Sequence, residues 1–174
     1  MEQGRGMTLD ISLDADDDWD SSTDWARLAE AAARAAIAES AFPGLVQAAR
    51  MVELSVVLTS DEQVQALNAE WRGKDKPTNV LSFPQAETDE LESAGTPGPE
   101  LMLGDIVLAR ATCAREAEEK ALPLPDHAAH LLVHGTLHLL GYDHGDDDTA
   151  DDMEAREVRA LARLGLSNPY EVAA

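Results

Sequence analysis

Residues 134–144 read HGTLHLLGYDH, and this stretch limits the possible folds more than any other. Four residues of α-helix rise about 6 Å and turn about 400°, so His134 and His138 share one face, one turn apart. Their ring nitrogens can converge on a single ion at about 2.0–2.1 Å. His130 falls on the same face another turn back, about 12 Å along the axis from His138. One tetrahedral ion cannot take three ligands strung out in that way, so the third must come from elsewhere. Gly141 suits the left-handed position just past a helix end. It lets the chain reverse and bring His144 back over the helix. Three neutral imidazoles with one open position describe a catalytic zinc site; structural sites are closed by four ligands, usually including cysteine. The chain has one cysteine, Cys113, so it can form neither a cysteine cluster nor an internal disulfide. The expectation is one Zn2+ per chain on His134, His138 and His144. His127 is expected on the surface of the helix's first turn, and His130 as a packing residue or a support for the ligands.

The surrounding pattern predicts an α+β fold. Leu9, Ile11 and Leu13 alternate within residues 7–14, and a strand is expected there. An alanine-rich helix is expected over 22–41, capped by Ser22 or Thr23 and ended by Pro43–Gly44. Residues 52–59 read as a second strand. A helix over 60–71 follows, with Ser60 and Gln63 spaced as a capping box. Strands are expected at 79–84 and 103–109, separated by an exposed loop rich in Gly, Pro and acids. Three more helices are expected, over 110–121, over about 127–140 with Asp126 as cap, and over about 149–164. Strand–helix–strand at the start implies a parallel unit, and the two later strands can pair as a long-looped hairpin. The result is a mixed sheet of about four strands with about five helices packed on it. Residues 1–6 read as a short tail, and 7–174 as one domain.

Charge is lopsided, with 34 Asp plus Glu against 13 Lys plus Arg, a net of −21. Taken alone this argues against nucleic-acid binding, which needs cations for phosphates. The acids cluster at 14–20, 87–92 and 145–158, as solvated loops and helix starts do. The chain has three lysines, and two of them, Lys74 and Lys76, sit with Arg72 in WRGKDK (71–76). A surface loop would explain that basic island, and so would a phosphate site. The longest apolar run is broken by His134 and His138 and is too short to span a membrane. The N-terminal residues carry no apolar signal core, so a cytoplasmic location is expected.

The spacing of the three histidines is also that of a class of zinc proteases, which place a glutamate after the first histidine as general base. Here that position is Gly135. Zinc by itself brings the pKa of a bound water to about 7, so an attacking group needs no carboxylate. A leaving amine, however, has lost its proton donor, and peptide hydrolysis is badly served. A phosphodiester depends more on positive charge beside its oxygens. Arg72 could fork onto two of them, with Lys74 and Lys76 as point charges. Asp143 and Asp105 are candidate proton carriers, although structural roles would also account for them.

Two blocks, LNAEWRGKDKPTNVLSFP (67–84) and HGTLHLLGYDH, resemble the YbeY endoribonucleases. LGDIV (103–107) and LGLSNPY (164–170) extend the similarity over most of the chain. The resemblance implies a zincin-like fold and a zinc-dependent, single-strand-specific endoribonuclease. Such an enzyme would act in rRNA maturation, notably at the small-subunit 3′ end, and in ribosome quality control. It implies His134, His138 and His144 as metal ligands and Arg72 as the functional arginine. Implied partners are single-stranded RNA, small-subunit rRNA and a ribosomal protein or assembly GTPase, with neither DNA nor membrane. A ribosome assembly factor with a structural zinc is the alternative.

Overall fold

The computed structural model describes residues 9–47, 50–94, 96, 98–143 and 145–170. The expected tail at 1–6 and His144 both lie outside the described residues. Among the described residues, four strands form one sheet: β1 (Leu9–Ala15), β2 (Val52–Thr59), β3 (Val80–Pro84) and β4 (Leu101–Ala109), in the order β1-β2-β4-β3. β1 runs parallel to β2 and β2 parallel to β4, while β3 pairs antiparallel with β4. The mixed α+β sheet and the late hairpin therefore stand as the sequence predicts. Among the described residues, no helix is long and apolar enough to cross a membrane.

Among the described residues, six α-helices accompany the sheet: α1 (Trp25–Ala38), α2 (Asp61–Arg72), α3 (Thr88–Glu92), α4 (Arg110–Glu119), α5 (Leu124–Leu139) and α6 (Asp147–Arg163). The sixth is α3, inside the stretch expected to be an exposed loop. It is one turn long, and it buries Leu91, with Ala94 just beyond. Two helix starts differ from expectation. Asp24, not Ser22 or Thr23, caps α1 by accepting from the Arg27 N–H at 3.1 Å. Ser22 is held instead by Asp20, to which its hydroxyl donates at 2.6 Å. α5 begins at Leu124 with Pro125 in its first turn, where a missing N–H costs nothing, so Asp126 is already inside the helix. α2 starts where predicted, with the Ser60 hydroxyl accepting from the Gln63 N–H at 3.2 Å, the serine half of the expected capping box.

The core lies mainly on one face of the sheet. Leu54, Val56, Leu58, Leu103, Ile106 and Leu108 pack there with the small-residue face of α1, with α5 and with Met153 and Leu161 of α6. α5 carries buried residues on nearly every side, as a helix enclosed by other elements should. A smaller cluster of Val64, Leu81, Val107 and Ala109 seats α2 against the sheet's other face. The register between β2 and β4 slips after Glu53, because Leu54 pairs with Gly104 and leaves Leu103 extra. Gly104 sits at this bulge with φ +144°, and a Cβ there would lie 2.3 Å from the Phe83 carbonyl oxygen and 2.8 Å from Leu139 Cδ2. The bulge thus brings the edge hairpin close to the C-terminal end of α5, where the histidine pair stands.

Candidate metal centre

α5 presents His134 and His138 as helical geometry requires, and their Nε2 atoms lie 3.0 Å apart. Each ring is fixed from behind. His138 donates from Nδ1 to the Tyr142 carbonyl oxygen at 2.9 Å. That carbonyl is set by the reversal at Gly141, whose φ is +99°, and by the Tyr142 N–H donating back to the Leu137 carbonyl at 3.0 Å. The Tyr142 hydroxyl in turn accepts from the Ala41 N–H at 2.9 Å, tying the turn to the region after α1. His134 donates from Nδ1 to Glu157 Oε2 at 2.7 Å.

Glu157, on α6, has no exposed surface. Its other oxygen, Oε1, accepts from His130 Nε2 at 2.9 Å and also from the Tyr170 hydroxyl. Burial opposes ionisation of Glu157, but the hydrogen bonds it accepts from His130, His134 and the Tyr170 hydroxyl outweigh it and bring the pKa down to about 2. The Tyr170 hydroxyl is pushed up by burial and by the same carboxylate, and so stays a donor.

A carboxylate and a carbonyl can only accept, so both Nδ1 atoms carry protons. In the neutral rings both Nε2 atoms then offer lone pairs. Two lone pairs facing each other at 3.0 Å repel unless something positive lies between them. Two nitrogens on one tetrahedral zinc would stand about 3.3 Å apart, so this pair fits such an ion closely. The residues that orient the rings are those expected around a metal-binding histidine pair.

The pair opens into a cleft of about 340 Å³ that also contains Arg72, Ser82, Tyr142 and Asp143. Arg72 ends α2, which packs on the opposite face of the sheet, and its side chain reaches the cleft beside the edge strand β3. The basic loop after it is latched to α2. Asn68 is buried and donates from Nδ2 to the Lys76 carbonyl at 2.9 Å, while the Lys74 N–H donates to the Asn68 carbonyl at 3.2 Å. Arg72, Lys74 and Lys76 are all exposed. Arg72 is therefore brought together with the histidine pair, whereas Lys74 and Lys76 stand outside the cleft lining. Of the two candidate proton carriers, Asp143 lines the cleft; Asp105 does not, and it accepts from Gln85 Nε2 at 2.9 Å.

Gly135 packs against the sheet. A Cβ there would meet Ile106 Cγ2 at 2.9 Å and Ser82 Oγ at 3.2 Å, so a protease-type glutamate has no room unless those side chains move. His127 corrects the sequence reading. It is buried, not on the surface, because α4 covers the start of α5, and its Nε2 donates to Glu116 Oε1 at 2.8 Å. His130 reaches the same carboxylate as His134, donating from Nε2 to Glu157 Oε1 at 2.9 Å. Cys113 is buried, and burial pushes its thiol up to about 12, so it is no nucleophile.

Sequence reasoning missed Glu157 and Tyr170. The signal for Glu157 was its register: the buried residues of α6 are Met153, Glu157, Ala160 and Leu161, which places one acid on the apolar stripe of an otherwise acidic helix. Tyr170 follows the last helix in a non-repetitive segment, and periodicity says nothing of it.

A family model described as "Endoribonuclease YbeY" matches residues 14–165. A protein of that name from Sphingopyxis alaskensis is 55% identical over 163 residues, covering 93% of this chain and 97% of the relative. Another from Rhizorhabdus wittichii is 50% identical over 165 residues, covering 94% and 98%. A Thermotoga maritima protein of known solution structure shares the fold, with a TM-score of 0.54 at 20% identity, covering 94% of this chain and 100% of that one. The family match runs through the basic loop, the histidine helix and the buried glutamate alike, and at this level of identity over nearly the whole length the chain belongs to the YbeY family.

Proposed function

We infer that the chain is an endoribonuclease, a hydrolase acting on RNA, as its family and relatives are described. More finely, we propose that it is zinc-dependent, cuts single-stranded RNA and acts in the cytoplasm in small-subunit rRNA maturation and ribosome quality control. In this reading residues 7–174 form one catalytic domain. His134, His138 and His144 would hold one zinc ion, which when bound supplies Lewis acidity toward a water or a phosphoryl oxygen. The observation that carries the reading is the Nε2 pair at 3.0 Å in a cleft shared with Arg72.

The chain's own residues then have distinct tasks. Glu157 and the Tyr142 carbonyl keep the protons of both rings on Nδ1, so each Nε2 faces the cleft as a donor of electrons. Arg72 binds non-bridging phosphate oxygens and stabilises the charge that builds on them as the attacking oxygen adds. Lys74 and Lys76 hold flanking phosphates. Asp143, at the cleft wall, is the candidate to carry the proton to the leaving oxygen. With Gly135 in place of a carboxylate, the arrangement favours phosphodiester over peptide cleavage.

Incubating zinc-loaded and metal-depleted protein with structured and unstructured RNA tests this. The zinc form should cut the unstructured RNA, and His138→Ala should neither bind zinc nor cut. Arg72→Ala should bind zinc normally and cut at least 100-fold more slowly, which also excludes a contaminating nuclease. Equal cutting by metal-free protein would refute zinc dependence. Ribosome maturation fully restored by Arg72→Ala in a deletion strain would favour the assembly-factor role.

A further inference from the structure

We propose that Trp71 is a stacking platform for a base of single-stranded RNA, next to the phosphates held by Arg72 and the basic loop. The inference rests on the RNA-cleaving reading above and deepens it, naming a residue that grips substrate outside the cleft.

Trp71 is 66% exposed, more than any other large hydrophobic side chain among the described residues. The other two tryptophans are treated in the opposite way. Trp19 and Trp25 are buried against each other edge to face, with ring centroids 5.1 Å apart. α2 packs through Val64, Leu67 and Asn68, and Trp71 continues that stripe at the next turn. The core ends before the helix does, and the indole is left in water. Indole is the side chain that loses most by such a position and gains most from a flat apolar partner.

The surroundings say which partner. Arg72, Lys74 and Lys76 follow Trp71 directly, in a chain whose net charge is −21. The one acid of this loop, Asp75, is turned onto α2, where it accepts from Gln65 Nε2 at 3.0 Å. With the Asn68 latches, this presents the cations on a fixed backbone. Arg72 also enters the cleft of His134 and His138, so a strand reaching those histidines passes over the C-terminal end of α2. A polyanion that exposes π faces at every unit fits cations beside an exposed indole, and that describes single-stranded RNA. A duplex hides those faces. The platform therefore gives a physical reason for preferring unpaired substrate.

The test uses tryptophan emission, because Trp71 is the exposed one of three. Full-length zinc-loaded protein is titrated with an unstructured RNA dodecamer. Anisotropy of labelled RNA, tryptophan emission and cleavage are followed on the same samples. Emission should be quenched with the same midpoint as the anisotropy change, and a paired duplex of equal length should not quench it. Trp71→Ala should weaken binding by roughly 5- to 150-fold and raise KM with little change in kcat. Trp71→Tyr should recover most of the loss. Thermal stability and zinc affinity of both variants should match the parent, because the side chain is mostly in solvent. RNA that binds and is cut without altering emission, with Trp71→Ala binding equally well, would overturn the platform and leave the nuclease reading intact. Quenching by ribosomal proteins but not by RNA would assign the patch to a protein and likewise overturn it. No binding and no cutting by the parent protein would overturn both.

Discussion

At the level of single residues, Gly135 sets how closely α5 packs on the sheet and Glu157 fixes the His134 ring. Gly135 keeps α5 close to β4, since any Cβ there meets Ile106 at 2.9 Å. Alanine should gain about 1 kcal/mol of helix propensity and lose about 1–3 kcal/mol to overpacking. Gly135→Ala is therefore expected to lower stability by about 1 kcal/mol and Tm by roughly 2–4 °C, measurable by calorimetry. A rise in Tm would mean that the helix can shift freely on the sheet. Glu157 holds the His134 ring with its proton on Nδ1. Glu157→Gln can present an NH2 where the ring needs an acceptor, so zinc affinity should fall by about 10- to 100-fold, read by competition with a chromogenic chelator. Unchanged affinity would show that the helix alone orients the ring.

Individual elements show which signals a sequence carries. The bounds of β2 and the start of α2 were legible because local cues agree there: an apolar run bounded by polar residues, and a serine that caps its helix. The histidine pair was legible because i,i+4 spacing on an apolar helix has one geometric outcome. α3 was not, since a single turn within Gly, Pro and acids has too little periodicity to register. The caps of α1 and α5 were misread where a competing partner decides, Asp20 for Ser22 and Pro125 for Asp126. The surroundings of His127 depend on α4 crossing the start of α5, a tertiary event with no local trace. That packing has a consequence in acid. Burial lowers the pKa of His127 below 6.5, against the pull of the Glu116 hydrogen bond and charge, with His130 and Lys120 lowering it further. The unfolded chain takes up a proton near pH 6.5, and the folded chain only at lower pH. The stability due to this group is complete above about pH 6.5 and is lost as the pH falls toward the folded value. Denaturation of the parent and His127→Gln between pH 8 and pH 5 should show a shallower acid decline in the variant. Identical declines would show that His127 stays accessible to protons.

For the molecule as a whole, the question is how so acidic a chain holds RNA. The sequence supplied the totals, 34 acids and 13 lysines and arginines, but not their arrangement. The structure fixes one basic loop on α2 beside the cleft, while acids begin α6 at Asp147 and Asp148 and fill α3. If Arg72, Lys74 and Lys76 are the phosphate contacts, binding of single-stranded RNA should weaken with salt at a log–log slope of about −2. A slope much steeper would mean that further cations take part.

The central claim is that one ion on the imidazoles of α5 and its return drives RNA cleavage. The most direct measurement is the cleavage rate of metal-depleted, full-length protein against added equivalents of zinc, with bound metal counted in the same samples. The account predicts a rise to a plateau at one equivalent per chain, and neither uptake nor cleavage in His138→Ala. Full cleavage before any zinc is added, or stoichiometric uptake by His138→Ala, would contradict it.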